Sequence, residues 1–286
     1  NRLILNGAGY NNSGALFNAA SSLSNVFYGV QFGVNPTVNV SHVLGGIAVG
    51  NLVNNTGGSF SKLGAGTLTM YGAGTNTGTI TVSAGTLVSN GATVAGTSSP
   101  LGLNPDLVLN GTLDITPTSS SVQIGSLTGT GTVTLGANTL SVGAGDVSSS
   151  FAGTFSSTTG GLKHIGTGTL SLARTVSYSY SVPTNISAGA IQFDIASPYS
   201  VLINGAITGS GNLMKTGTGS ISIGMAQTMT GNTIINGGSL TLSNASGLGT
   251  AGSVTVNNGG VLNLQTLTNF NLPTTLNAGS TLRNSS

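Results

Sequence analysis

The sequence predicts an all-β chain wound as a parallel β-solenoid with about 20 residues per coil. Three observations lead there: a composition that disfavours helix, short strands of period two, and a glycine-led unit that keeps returning at nearly constant spacing.

Composition comes first. Only 3% of the 286 residues are charged, there is no glutamate, and 47 are glycine. Soluble domains carry about a quarter charged residues. Strong helix formers such as Glu, Lys and Arg are therefore scarce, while Val, Ile and Thr favour pleated surfaces and Gly and Asn supply turns. Mean hydropathy is +0.30 with seven prolines, unlike a disordered chain, which is poor in aliphatics.

The local pattern has period two. Thr67-Leu68-Thr69-Met70, Thr132-Val133-Thr134-Leu135, Ser220-Ile221-Ser222-Ile223 and Ser253-Val254-Thr255-Val256 each offer one apolar and one polar face. A Gly-small-aliphatic unit leads such strands at Gly66, Gly85, Gly111, Gly131, Gly168, Gly189, Gly219, Gly238 and Gly260. Neighbouring copies lie 19 (66 to 85), 20 (111 to 131), 21 (168 to 189), 19 (219 to 238) and 22 (238 to 260) residues apart. The wider gaps hold weaker copies at Gly153-Thr154-Phe155 and Gly205-Ala206-Ile207. Such a period suits about three short strands per coil, each coil stacked on the last. An antiparallel sandwich predicts no fixed period. The chain therefore reads as one continuous solenoid over residues 1–286, with looser coils over 1–57 and clear repeats over 58–286.

The module Phe60-Ser61-Lys62-Leu63-Gly64-Ala65-Gly66-Thr67-Leu68, followed by Gly78-Thr79-Ile80-Thr81-Val82-Ser83-Ala84-Gly85-Thr86-Leu87, has a second copy. It runs Leu213-Met214-Lys215-Thr216-Gly217-Thr218-Gly219-Ser220-Ile221, then Gly231 to Leu240. A third, Leu162-Lys163-His164-Ile165-Gly166-Thr167-Gly168-Thr169-Leu170, places His164 where the others have lysine. These modules resemble the passenger-associated β-strand repeats of bacterial autotransporters. The resemblance implies a right-handed parallel β-helix displayed outside the cell, as part of an adhesin with a C-terminal outer-membrane barrel. No barrel-like run of long alternating strands is read after Leu262.

Little in the sequence points to catalysis. The acids are Asp106, Asp114, Asp146 and Asp194. A glycosidase needs two carboxylates roughly 5–10 Å apart, and at this coil length only Asp106 and Asp146 come near that. The expectation is that they are turn aspartates and that the chain is not an enzyme. Neither the acid cluster of a calcium-dependent lyase nor the nonapeptide calcium repeat is present, so no metal is expected, and no cofactor. His42 and His164 have serines nearby, as any residue here would, and His164 is expected to be an exposed coil residue. Lys62 and Lys215 are expected to project charge that discourages unwanted edge pairing. Glycine-rich runs lack the helix and Lys-Ser/Thr of a phosphate loop. Tyr178 and Tyr180 fall on one side of a strand, where they either contact a sugar or protein ligand or pack half-buried. Thr128-Gly129-Thr130-Gly131-Thr132-Val133-Thr134 suggests the threonine array of an ice-binding solenoid, although the second position varies.

The absence of cysteine excludes disulfides and thiolate metal sites. A net charge of +2, from six cations and four anions scattered along the chain, is no clustered basic footprint, so nucleic acid is not an expected partner. No apolar run of about 18 residues marks a membrane span, and Asn1-Arg2-Leu3-Ile4-Leu5 does not read as a leader. Neither Asn1 to Leu5 nor Ser280 to Ser286 reads as a cap. The expected neighbours are flanking coils of a longer chain or identical chains stacked head to tail, with a glycan or host surface as ligand. The expected role is that of an extracellular stalk, adhesin or fibre subunit at the bacterial cell surface; a polysaccharide-active enzyme and an ice-binding protein are the alternatives.

Overall fold

A computed structural model describes residues 3–28, 30–43, 45–50, 58–91, 99–119, 121–250, 252–265, 267 and 269–285. Asn1, Arg2 and Ser286 of the two termini thus lie outside the described residues. The fold is all-β, with a single one-turn 3-10 segment, Tyr10–Asn12, among them. The named strands pair in parallel and stack as a β-solenoid, and among the described residues the one antiparallel contact is an isolated bridge between Gly74 and Ser99. No described helix is long and apolar enough to cross a membrane.

The chain packs as two compact units, Asn1–Gly145 with Gly153–Gly160, and Asp146–Ala152 with Gly161–Ser286. In the first, one face is a seven-stranded sheet running from Ser24–Tyr28 through Thr67–Tyr71 and Thr112–Asp114 to Thr154–Ser157. A second, six-stranded face runs from Leu16–Asn18 through Phe60–Leu63 to Leu127–Thr128. Leu3–Leu5 and Val30–Phe32 form a two-stranded sheet, and Val122–Ile124 pairs with Thr139–Val142.

The second unit shows the winding most plainly. From Gly161–His164 the chain passes to Thr169–Leu172 and then Tyr178–Tyr180, and at Thr184–Ile186 it returns to pair with Gly161–His164. Three faces per coil are thus visited in turn. The seven-stranded face carries Leu170, Ile191, Leu213, Thr233, Val254 and Thr274 in register, at steps of 21, 22, 20, 21 and 20 residues.

Stacking is favoured because alternation sends every second side chain inward, where it meets its counterpart one coil away. Ile47, Leu68, Leu87, Leu113 and Val133 form one such buried column. Each fully buried aliphatic side chain contributes on the order of 1.5–3 kcal/mol. Aromatic pairs fill wider places: Phe32 and Phe60 lie 4.6 Å apart, and Tyr180 meets Phe193 edge-on at 5.3 Å. Corners bring backbones close together. At Gly189 (φ +56°) a Cβ would land on the Gly168 and Gly166 carbonyl oxygens of the coil below, so only glycine turns there without displacing the neighbour.

The sequence spacings reappear as registers: Thr67 opposes Thr86, Thr112 opposes Thr132, Thr169 opposes Ala190, Ser220 opposes Ser239, and Ser239 opposes Val261. One weak copy is placed differently from its expected phase. Ile207 pairs with Thr184, on another face, and the coil that follows Ala190 is Asn212–Thr216. Gly189, Gly205 and Gly219 precede strands on three different faces and each abuts backbone of the coil below, so the glycine-led unit marks corners without saying which face follows.

Candidate functional site

The titratable residues are best taken from the strands that hold them. Lys62 stands in an inward column between Val38 and Val82, and Lys215 in another between Phe193 and Ile235. Both are fully buried, which corrects the expectation that they project charge at an edge. Each lysine stem fills the column while its ammonium turns into the following corner. Lys62 Nζ donates to the carbonyls of Leu63 (2.7 Å), Gly64 (2.7 Å) and Ala84 (3.1 Å). Lys215 Nζ donates to those of Thr216 (2.5 Å), Gly217 (2.9 Å) and Gly237 (3.3 Å). The third carbonyl in each case lies 22 residues on, so the ammonium ties one coil to the next. Burial pulls both groups down to about 8, opposed at Lys215 by the charge of Asp194.

His164 is likewise buried, not an exposed coil residue. Its Nε2 donates to the Gly168 carbonyl at 3.0 Å, and Nδ1 has no hydrogen-bond partner among the described residues. It ends a strand on a different face from that of Lys215, with Ile186 as its register partner. His164 thus shares the lysines' module position and their burial but not their three-carbonyl cradle. His42 is exposed, and its carbonyl accepts the Gly45 N–H in a tight turn.

Three aspartates accept hydrogen bonds, Asp114 within its own turn and Asp106 and Asp146 from residues one coil on. Asp106 accepts from Ser126 Oγ (2.7 Å) and Asp114 from the Thr116 N–H (2.8 Å). Asp146, at φ +57°, accepts the Thr167 N–H (2.8 Å) and hydroxyl (3.1 Å), which hold its carboxyl below the usual range. Asp106 and Asp114 belong to the first unit, Asp146 and Asp194 to the second. Among the described residues, no three His, Asp or Glu side chains gather as a metal site would require.

Of the two tyrosines, Tyr180 is buried, its hydroxyl bonded to Thr184 Oγ1 at 2.8 Å. Burial raises its pKa, and raises that of Tyr178 to about 12 against the pull of Arg174. Tyr178 is half-buried, with the Arg174 guanidinium 4.3 Å from its ring centre, a cation–π contact. The pair does share one side of its strand, but that side faces the core: Tyr178 and Tyr180 oppose the buried Val201 and Ile203. Packing, and not a shared exposed face, is what this geometry provides.

The outward surface carries repeated hydroxyls. On the first unit Thr67, Thr86, Thr112, Thr132 and Thr154 stand in one register column over five coils, with Thr132 and Thr154 hydroxyls 2.9 Å apart. The parallel column two residues on reads Thr69, Val88, Asp114, Thr134 and Ser156, so the two-rank lattice of an ice plane is interrupted. On the second unit an open groove of about 400 Å³ is lined by Ser148, Ser149, Ser150, Thr169, Ser171 and Gln192. Gln192 donates to Ser171 Oγ (3.2 Å), and Ser148 Oγ accepts the Thr169 N–H (3.0 Å). These residues escaped sequence reasoning because serine is everywhere; the signal was the register Ser150, Ser171, Gln192 at 21-residue steps. Such a groove offers neutral donors and acceptors, with no acid and base converging on a common point.

Fold and surface together define a parallel β-solenoid repeat protein whose polar outer faces are built from hydroxyls and amides. No protein-family model matches the chain, and neither a curated protein nor a solved structure matches it.

Proposed function

We propose that the chain is an extracellular structural or adhesive solenoid of the autotransporter-passenger type: a stalk, adhesin segment or fibre subunit at the bacterial surface, and not an enzyme. The observation that carries this reading is the outer surface itself. It repeats neutral hydroxyls and amides from coil to coil, while Asp106, Asp114 and Asp146 accept hydrogen bonds from serine and threonine of their own turn or the next coil and Lys62, Lys215 and His164 are buried inside the stack. The module resemblance around Lys62 and Lys215 supports the surface location. The groove at Ser150, Ser171 and Gln192 suits a neutral polar ligand such as a glycan, held through hydrogen bonds.

Two measurements test the reading. Antibody raised against the chain should label the outside of intact source cells; a pool confined to the interior contradicts it. On a polysaccharide panel the purified chain should release no products. Depolymerisation that Asp106→Asn or Asp146→Asn abolishes would establish an enzyme instead.

A further inference from the structure

We propose that the corner at Asn236 and Gly237 modifies itself: the Gly237 nitrogen attacks the Asn236 side chain, which leaves aspartate or isoaspartate in the asparagine's place. This chemistry lies within the second unit and is independent of the structural reading above.

An asparagine followed by glycine can close on the next backbone nitrogen, because glycine has no side chain to hinder the approach. The chain has six such pairs, beginning at Asn6, Asn90, Asn110, Asn204, Asn236 and Asn258. To attack, the glycine nitrogen must give up its proton and swing toward the side-chain carbon, and an N–H that holds a carbonyl of another coil does neither. Four are held in this way: Gly7 donates to the carbonyl of Val34 (2.8 Å), Gly111 to Val82 (3.1 Å), Gly205 to Tyr180 (2.9 Å) and Gly259 to Gly279 (3.0 Å). Among the described residues, the Gly91 and Gly237 N–H groups hold no such bond.

Three features set Asn236 apart from Asn90. The first is access. Asn236 is exposed, whereas Asn90 is half-buried at the end of strand Thr86–Asn90, in register with Tyr71. The second is a chain of amides along the corner: Asn277 Nδ2 donates to Asn257 Oδ1, and Asn257 Nδ2 to Asn236 Oδ1, each at 2.6 Å. Its bonds run one way, so each polarises the next. They deliver a donor to the oxygen on which negative charge gathers when Asn236 Cγ is attacked. The third is charge. Lys215 Nζ lies 3.3 Å from the Gly237 carbonyl oxygen, and a positive charge at this corner favours loss of the Gly237 amide proton.

In the reaction the Gly237 nitrogen bonds to Asn236 Cγ, the Cγ–Nδ2 bond breaks, and ammonia departs with the proton that Gly237 gave up. Water then opens the resulting succinimide at either carbonyl. One opening gives an ordinary aspartate; the other gives isoaspartate, whose longer main chain draws the Gly237 carbonyl away from Lys215. Either product adds a carboxylate to a corner that had none.

Incubation of the full chain at neutral pH in heavy-oxygen water, followed by chymotryptic mapping with mass spectrometry, tests this. Acid and label should build up at Asn236 roughly tenfold or more faster than at Asn110 or Asn204, with isoaspartate detected there by methyltransferase labelling. In strong urea all the Asn-Gly pairs should convert at similar rates, which assigns the selectivity to the fold. Gly237→Ala should slow conversion by roughly tenfold or more. Alanine fits here: Gly237 has no left-handed φ, and the nearest neighbour of its Cβ would be the Gly217 oxygen at 3.3 Å. Asn257→Ala, which removes the donor, should slow it several-fold. Both variants are compared at wild-type circular dichroism, and the wild-type ranking decides the matter where a variant does not fold. Conversion of Asn236 no faster than that of Asn110 and Asn204 in the folded chain overturns the proposal, as does a rate indifferent to Gly237→Ala or to Asn257→Ala.

Discussion

The buried lysines show how much chemistry one side chain can hide in a solenoid. A lysine at the last inward position of a strand has a four-carbon stem that packs like a leucine and a head that reaches the corner carbonyls. Lys215→Ala should therefore cost about 3–5 kcal/mol, from the lost stem and the abandoned carbonyls together. Lys215→Met keeps the stem and should cost about 1–3 kcal/mol, from the carbonyls alone. Urea unfolding of the two variants separates these terms. Because burial draws both lysines from 10.5 to about 8, the unfolded chain binds more protons between those values, and stability should rise as pH climbs through that window. The tyrosines act in the opposite sense. Tyr178 ionises in the unfolded chain near 10 but in the folded one only near about 12, so stability should fall as pH passes 10. Thermal melts from neutral to strongly alkaline pH should show a maximum close to pH 10; a monotonic decline from neutrality would contradict the lysine assignment. The sequence placed these lysines at a module position without revealing their burial, because Lys62 follows Ser61 in a run whose inward phase is plain only once Val38 and Val82 are seen beside it.

At the scale of the strand and its corner, positive φ and close approach of coils are separable demands. Gly189 meets both: φ is +56° and the coil below crowds its Cβ direction. Gly259 meets only the first, with φ +77° and nothing within 4 Å of a built Cβ. Gly259→Ala should cost about 1–2 kcal/mol, the left-handed penalty of an L-residue. Gly189→Ala adds displacement of the neighbouring backbone and should cost about twice that or more. Equal losses of thermal stability would show that the crowding relaxes freely. This also explains what was legible in the period. Steps such as Thr67 to Thr86 and Thr169 to Ala190 were readable because glycine is obligatory just before them, whereas the weaker copy at Ile207 belongs to a different face that its corner glycine, Gly205, does not distinguish.

For the whole molecule, a stack in which each coil touches only its neighbours should lose order from its edges inward. Within the second unit, hydrogen exchange should be fastest at Thr274–Leu276 and Thr281–Arg283 and slowest near Ala190–Asp194, which is paired on both sides. Uniform protection across these strands would indicate an all-or-none unit instead.

The sequence alone determined the class of fold, because alternation and a corner glycine are local requirements that every coil must satisfy again, and repetition makes them visible. It also implied the scarcity of chemistry, since four aspartates and two histidines leave few constellations to build. Tertiary structure decided where the polar groups went. Whether Lys215, His164 or Tyr180 faces the core depends on which residue lies over it some twenty positions away. The groove along Ser150, Ser171 and Gln192 exists for the same reason. Side chains distant along the chain become neighbours only when coils stack, and their register is a property of the stack and not of any one strand.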